Sequence, residues 1–235
     1  AQQNPDREIV FVGVGFETTT PLVAMAIKRA AAAGLKNFSV FGAHKNMPGA
    51  LEAIINDPQL KVDALILPGH VSTIIGAEPY RFLAEKYGIP GVITGFEPVD
   101  VLQGIAMIMR QLHEGRADIE IAYARGVMPQ GNPVAMAAID EVFETCTALW
   151  RGLGEIPGSG YRIREEFAQF DAVRRFQPDV EPTQDPKGCR CGDVLRGIMA
   201  PNECPLFRKV CTPENPVGPC MVSSEGSCAA YHRYY

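Results

Sequence analysis

Two textures of apolar residues alternate along the first two thirds of the chain. One is the short unbroken run, such as "IVFVGVG" at Ile9–Gly15. The other is a longer stretch in which apolar residues recur every three or four positions, such as "LVAMAIKRAAAAG" from Leu22. An unbroken β-branched run is expected of a strand covered on both faces, and recurrence at three and four of a helix with one buried face. Further strands are predicted at "FSVFGAH" (38–44), "VDALILPGH" (62–70), "GVITGF" (91–96) and "DIEIAYARGV" (118–127). The intervening helices are predicted at 48–57, around 78–87, at 98–114 and at 133–151. Thr20 is a fitting helix cap, Pro21 a fitting first helical residue and Gly34 a fitting terminator. Strands that alternate with helices predict a parallel-sheet, Rossmann-like α/β domain with helices on both faces, spanning 1–151.

The pattern loosens after Gly152. Residues 152–188 read as a connecting arm, with a short amphipathic helix at 165–176 and three prolines in "QPDVEPTQDPKG". From Cys189 to the end there are no long apolar runs, yet six of the seven cysteines fall there. This stretch, 189–235, is predicted to be a separate irregular, cysteine-rich domain, held by something other than hydrophobic burial.

Net charge is −5, which speaks against nucleic acid or an anionic membrane as partner. No apolar run approaches the ~18 residues of a membrane span. The opening "AQQNPDREIV" lacks a secretory pattern and reads as a helix tail and a loop entering a strand. The expectation is a cytoplasmic fragment of a longer protein.

In parallel sheets ligands gather at the carboxyl ends of the strands. Those ends carry Glu17-Thr18-Thr19, His44-Lys45, His70-Val71-Ser72 and a second Gly-Phe-Glu turn at Glu97. Each has a plain structural reading as cap, first-turn acid or backbone-bonded histidine. Their predicted placement on one rim is what makes them candidates. Gly13-x-Gly15-x-x-Thr18 lacks the third glycine of a dinucleotide fingerprint, and no P-loop lysine follows it.

The cysteines are Cys189, Cys191, Cys204, Cys211, Cys220 and Cys228. Disulfides suit an oxidising compartment, structural zinc favours closely paired cysteine knuckles, and an iron–sulfur cluster takes four thiolates on irregular backbone. Six exceed four, so two would remain as redox thiols. On spacing alone these readings stay open.

"VGFETTTP", "LPGHVSTIIG", "TGFEPVDVLQGI", "CGDVLRGIMAPNECPLF" and "CTPENPVGPCMVSSEGSCAAY" together resemble the HypD family of [NiFe] hydrogenase maturation scaffolds. The resemblance runs over essentially the whole chain. It implies a [4Fe–4S] cluster in the C-terminal domain, with Cys204, Cys211, Cys220 and Cys228 as preferred ligands. Cys191 would be the redox thiol or a substitute ligand, and Cys189 is the less certain sixth. It further implies that Glu17, Thr18, Thr19, His70 and Ser72 belong to a cleft where an Fe(CN)2CO unit is assembled. The implied partners are a HypC-type chaperone, a HypE-type cyanide donor and, indirectly, the hydrogenase large subunit. Such a protein is a redox-active assembly scaffold rather than a conventional turnover enzyme. The family's Cys-Gly-Thr-His and Cys-Pro-x-Cys motifs do not occur here. The alternative is a small-molecule-binding α/β domain with a zinc-stapled C-terminal interaction module.

Overall fold

A computed structural model describes residues 1–179 and 186–235. Part of the predicted arm, 180–185, therefore lies outside the described residues. The chain divides into two compact units. The first comprises 1–52, 63–148 and 157–179; the second comprises 53–62, 149–156 and the chain from 180 onward.

The first unit is α/β. Strand β1 (Ile9–Gly15) pairs in parallel with β2 (Phe38–His44), from Ile9 opposite Phe38 to Gly15 opposite His44. Helix α1 (Thr20–Ala32) connects them. Thr20 does not cap α1 from outside; its hydroxyl donates back to the Phe16 carbonyl at 2.9 Å from within the first turn. Helix α2 (Met47–Ile55) leads to a second parallel sheet of order β3 (Leu65–Pro68), β4 (Gly91–Thr94), β5 (Ile119–Ile121). Helices α3 (Gly69–Ile75), α4 (Arg81–Tyr87) and α5 (Pro98–Glu114) fill the connections. The strands thus form two parallel sheets of two and three, so the Rossmann-like description fits loosely.

Helix α6 (Pro133–Val142) packs on α1. Val23, Ala24, Ile27, Ile139, Val142, Phe143 and Phe170 bury one another there as an apolar core. The helix predicted to run to Arg151 stops at Val142. The remainder is β6 (Phe143–Trp150), which returns through a tight turn as β7 (Gly154–Ile163). The alternation in "FETCTALW" is the reason: Glu144, Cys146, Ala148 and Trp150 are covered while Thr145, Thr147 and Leu149 face out, a period of two rather than 3.6. The helix predicted over 165–176 is a 3-10 turn at Glu165–Phe170 and then α7 (Ala172–Phe176), capped by Asp171, whose carboxylate accepts from the Val173 and Arg174 amides.

Beyond residue 186 the second unit has only short helices: α8 (Cys191–Leu195), α9 (Pro219–Val222) and α10 (Ser227–Tyr234). Arg196 ties 53–62 to α8, with one guanidinium nitrogen 2.7 Å from Asp57 and another 2.6 Å from Asp193. No helix among the described residues is long and apolar enough to cross a membrane.

One close approach fixes how α3 leaves β3. A Cβ on Gly69 would stand 2.1 Å from the Thr94 carbonyl oxygen of β4, which is backbone and has no room to give. On Gly42, in β2, a Cβ would meet nothing within 4 Å. Gly69→Ala is therefore expected to lose roughly 2–4 kcal/mol in denaturant unfolding, and Gly42→Ala to stay within about 0.5 kcal/mol of the parent.

Candidate functional site

All six C-terminal cysteines line one small, nearly filled space, completed by Leu206, Phe207, Gly218 and Met221. The local chain geometry explains why. Cys191 opens α8, Cys204 ends a 3-10 turn at Pro201–Glu203, Cys220 sits in α9 and Cys228 in α10. Residues 207 and 211 bridge like paired strands, which turns Cys211 inward. Gly218 leaves space for sulfur: a Cβ there would stand 2.4 Å from the Cys189 Sγ. Cys191, Cys211, Cys220 and Cys228 are all less than a tenth exposed, and together with Phe207, Met221 and Ala229 they are the core of this unit.

The six sulfurs are not equivalent. Cys191 and Cys220 are joined in a disulfide. Cys189, Cys204, Cys211 and Cys228 lie outside the disulfide. Cys220, one of the preferred ligands, lies in the bridge, and Cys189 lies outside it. Burial pushes the Cys228 thiol up to about 11, with the neighbouring Cys204, Cys211 and Cys189 sulfurs adding to the effect. The Val217 amide donates to the Cys211 sulfur at 3.4 Å. Among the described residues no three His, Cys, Asp or Glu side chains are gathered tightly enough to hold a single metal ion.

In the first unit the strand-end residues separate by role. Glu17 is 1% exposed; Oε1 accepts the Met47 amide at 2.9 Å while Oε2 has no partner. Burial raises its pKa, and the Met47 amide only partly offsets that. Tyr80 and Tyr161 both feel its charge, and burial pushes both phenols up. The Tyr80 hydroxyl is also buried without a hydrogen bond of good geometry, although Ser72 lies beside it. Ser72 donates to the Pro68 carbonyl at 2.8 Å and Thr19 to that of Phe16 at 3.2 Å, so both hydroxyl protons serve the local backbone. Thr18 is half-buried beside them. His70 is exposed on the first turn of α3, edge-on to Phe96 with ring centres 4.7 Å apart. His44 is buried against Phe143, neither ring nitrogen has a partner, and burial lowers its pKa.

Sequence reading missed a feature of the β3–β4–β5 rim. Arg125 forms a bidentate pair with the buried Asp100 of α5, at 2.6 and 2.7 Å, and its guanidinium lies 4.6 Å from the Tyr123 ring centre. The pair holds the Asp100 carboxyl below the usual range. Asp100 falls within the predicted helix 98–114 and Arg125 within the predicted strand 118–127; only their meeting 25 residues apart gives them meaning.

Glu17 supplies a pH signature. Its folded-state pKa is raised above the ordinary 4.5. The stability it permits is full below about pH 4.5 and is lost as pH rises through the folded-state value. Glu17→Gln is expected to remove that decline, so thermal unfolding scans of the two proteins should diverge above pH 4.5, with the parent falling. Parallel curves would contradict a buried, proton-holding Glu17.

The family model described as HypD, hydrogenase formation hypA family, matches residues 1–235. The hydrogenase maturation factor HypD of Cupriavidus necator is 48% identical over 241 residues, covering 100% of this chain and 64% of the relative. That of Rhodobacter capsulatus is 50% identical over 239 residues, covering 100% and 63%. A putative hydrogenase expression/formation protein of Methanocaldococcus jannaschii is 42% identical over 234 residues, covering 100% and 65%. The chain thus spans somewhat under two thirds of the length of the curated relatives it matches. By sequence along its whole length, the chain belongs to the HypD family of hydrogenase maturation factors.

Proposed function

We propose that this chain serves [NiFe] hydrogenase maturation as an iron–sulfur scaffold whose cysteine unit handles electrons. The observation that carries the reading is the sorting of six cysteines around one small space into one bridged pair and four outside the bridge. Four is the number of thiolates a [4Fe–4S] cluster takes. The donor set therefore fits, with Cys189, Cys204, Cys211 and Cys228 as the residues that would hold the cluster. When bound, the group would supply one-electron exchange beside a disulfide.

The protein's own residues do the rest. Reduction of Cys191–Cys220 breaks the S–S bond and, with two electrons and two protons, leaves two thiols, so the pair stores what a single-electron centre cannot. Leu206, Phe207 and Met221 keep water from the sulfurs. A thiol with a pKa near 11 stays protonated at neutral pH, so loading of metal onto Cys228 must release its proton and is favoured by rising pH. In the first unit Glu17, its pKa raised by burial, is a buried carboxyl beside the Met47 amide, and His70 is an exposed imidazole at a strand end. These groups, with Thr18, Thr19 and Ser72 shaping the turns, suit a site that orients the diatomic ligands of an Fe(CN)2CO cargo. A HypC-type chaperone and a HypE-type cyanide donor are the partners this reading calls for, with delivery to the hydrogenase large subunit and a cytoplasmic location.

Anaerobic purification followed by iron and acid-labile sulfide assays tests it. About four of each per chain are expected. Serine at 189, 204, 211 or 228 should lose most of the iron, whereas serine at 191 or 220 should keep it. About one zinc and no sulfide would establish instead the zinc-stapled interaction module.

A further inference from the structure

Strand β1 has the composition of an interior strand and the surroundings of an edge. Every residue of Ile9–Gly15 is apolar or glycine. Val10, Val12 and Val14 share one face and are 43%, 62% and 66% exposed, and Phe11 on the other face is 49% exposed. One side of β1 pairs with β2 along its whole length; among the described residues no strand pairs with the other side. None of the usual guards, such as a lysine, a proline or an inward charge, protects that edge. The far side of β2, by contrast, is met at Val40 by Asp171.

Two observations identify what covers it. The relatives carry over a third of their length beyond what matches this chain. The β1–β2 sheet is parallel, and parallel sheets grow by strand–helix units, in which the strand takes the edge and the helix covers the face. We propose that the open edge of β1 receives a parallel strand from the part of the HypD family lying outside this chain, and that the helix joined to that strand covers Val10, Val12 and Val14. The occupant is an extended β-branched segment joined to a helix with one apolar face. A second copy fits less well, because two-fold edge pairing would set β1 antiparallel to itself in a parallel sheet. The inference rests on family membership and does not depend on what the cysteines bind.

The test mixes this chain with the remaining portion of the Rhodobacter capsulatus relative, produced separately. Binding is measured by titration and the β1 amides by hydrogen exchange. Binding is expected, with new protection of β1 amides directed away from β2. Val12→Asp and Val14→Asp place a charge on the buried face and should each weaken binding by about 100-fold. Both side chains are exposed in this chain, so its melting temperature should not change. Met109→Asp, at an exposed position of α5, should leave binding within about twofold of the parent. The proposal is overturned by binding that leaves β1 unprotected, by aspartate variants that bind like the parent, by an absence of binding, or by β1 amides already protected in a dimer of this chain alone.

Discussion

The second unit depends on sulfur packed against sulfur. From 186 to 235 the helices are four to eight residues long, too short to hold themselves. The core they share is small, and four of its seven most buried members are cysteines. Free cysteine packs as a small hydrophobe, so the thiols close the interior at the cost of raising their own pKa. Cys228 shows that cost directly. A core of this kind is stable only as long as its thiols stay neutral, are bridged or have their charge taken up by metal. All three states are chemically adjacent here, which is why the same residues serve as structure and as candidate redox centre.

The first unit solves a different problem. Its sheets bring polar groups to the carboxyl ends of the strands and bury several of them incompletely satisfied. Glu17 Oε2, the Tyr80 hydroxyl and both His44 nitrogens are buried without partners. Each such group costs free energy, as do Ser39 Oγ and Gln111 Nε2, which are buried without partners away from the rim. Arg125 and Asp100 show the opposite arrangement: a charge pair fully matched, rigid and stacked on an aromatic ring. One part of the rim is therefore held by a matched ion pair, while another buries Glu17 and His44 with their pKa values shifted by desolvation.

Much of this was legible in the residues. Strand positions followed from unbroken apolar runs, helix starts from Pro21, Pro98 and Pro133, and the change of character after Gly152 from its glycines and prolines. The signal at Phe143–Trp150 was present too, but a period of two over eight residues lost to the helical pattern that preceded it. The division of the strands between two sheets has no local signature. The pairing of Cys191 with Cys220 was out of reach in principle, since spacing cannot fix the connectivity of six cysteines. Glu17 was found by its place after β1, yet its burial, which gives it its chemistry, comes from Met47, Tyr80 and Tyr161, all distant in sequence.

The central claim is that the sulfurs of the second unit sort into four thiols and one bridge. Thiol-selective alkylation of the metal-free chain under denaturing conditions, followed by peptide mass spectrometry, counts them directly. The account predicts adducts at Cys146, Cys189, Cys204, Cys211 and Cys228 before reduction, and at all seven cysteines after it, with one linked peptide pair carrying Cys191 and Cys220. Adducts at all seven without reduction, or a bridge that includes Cys204, Cys211 or Cys228, would contradict it.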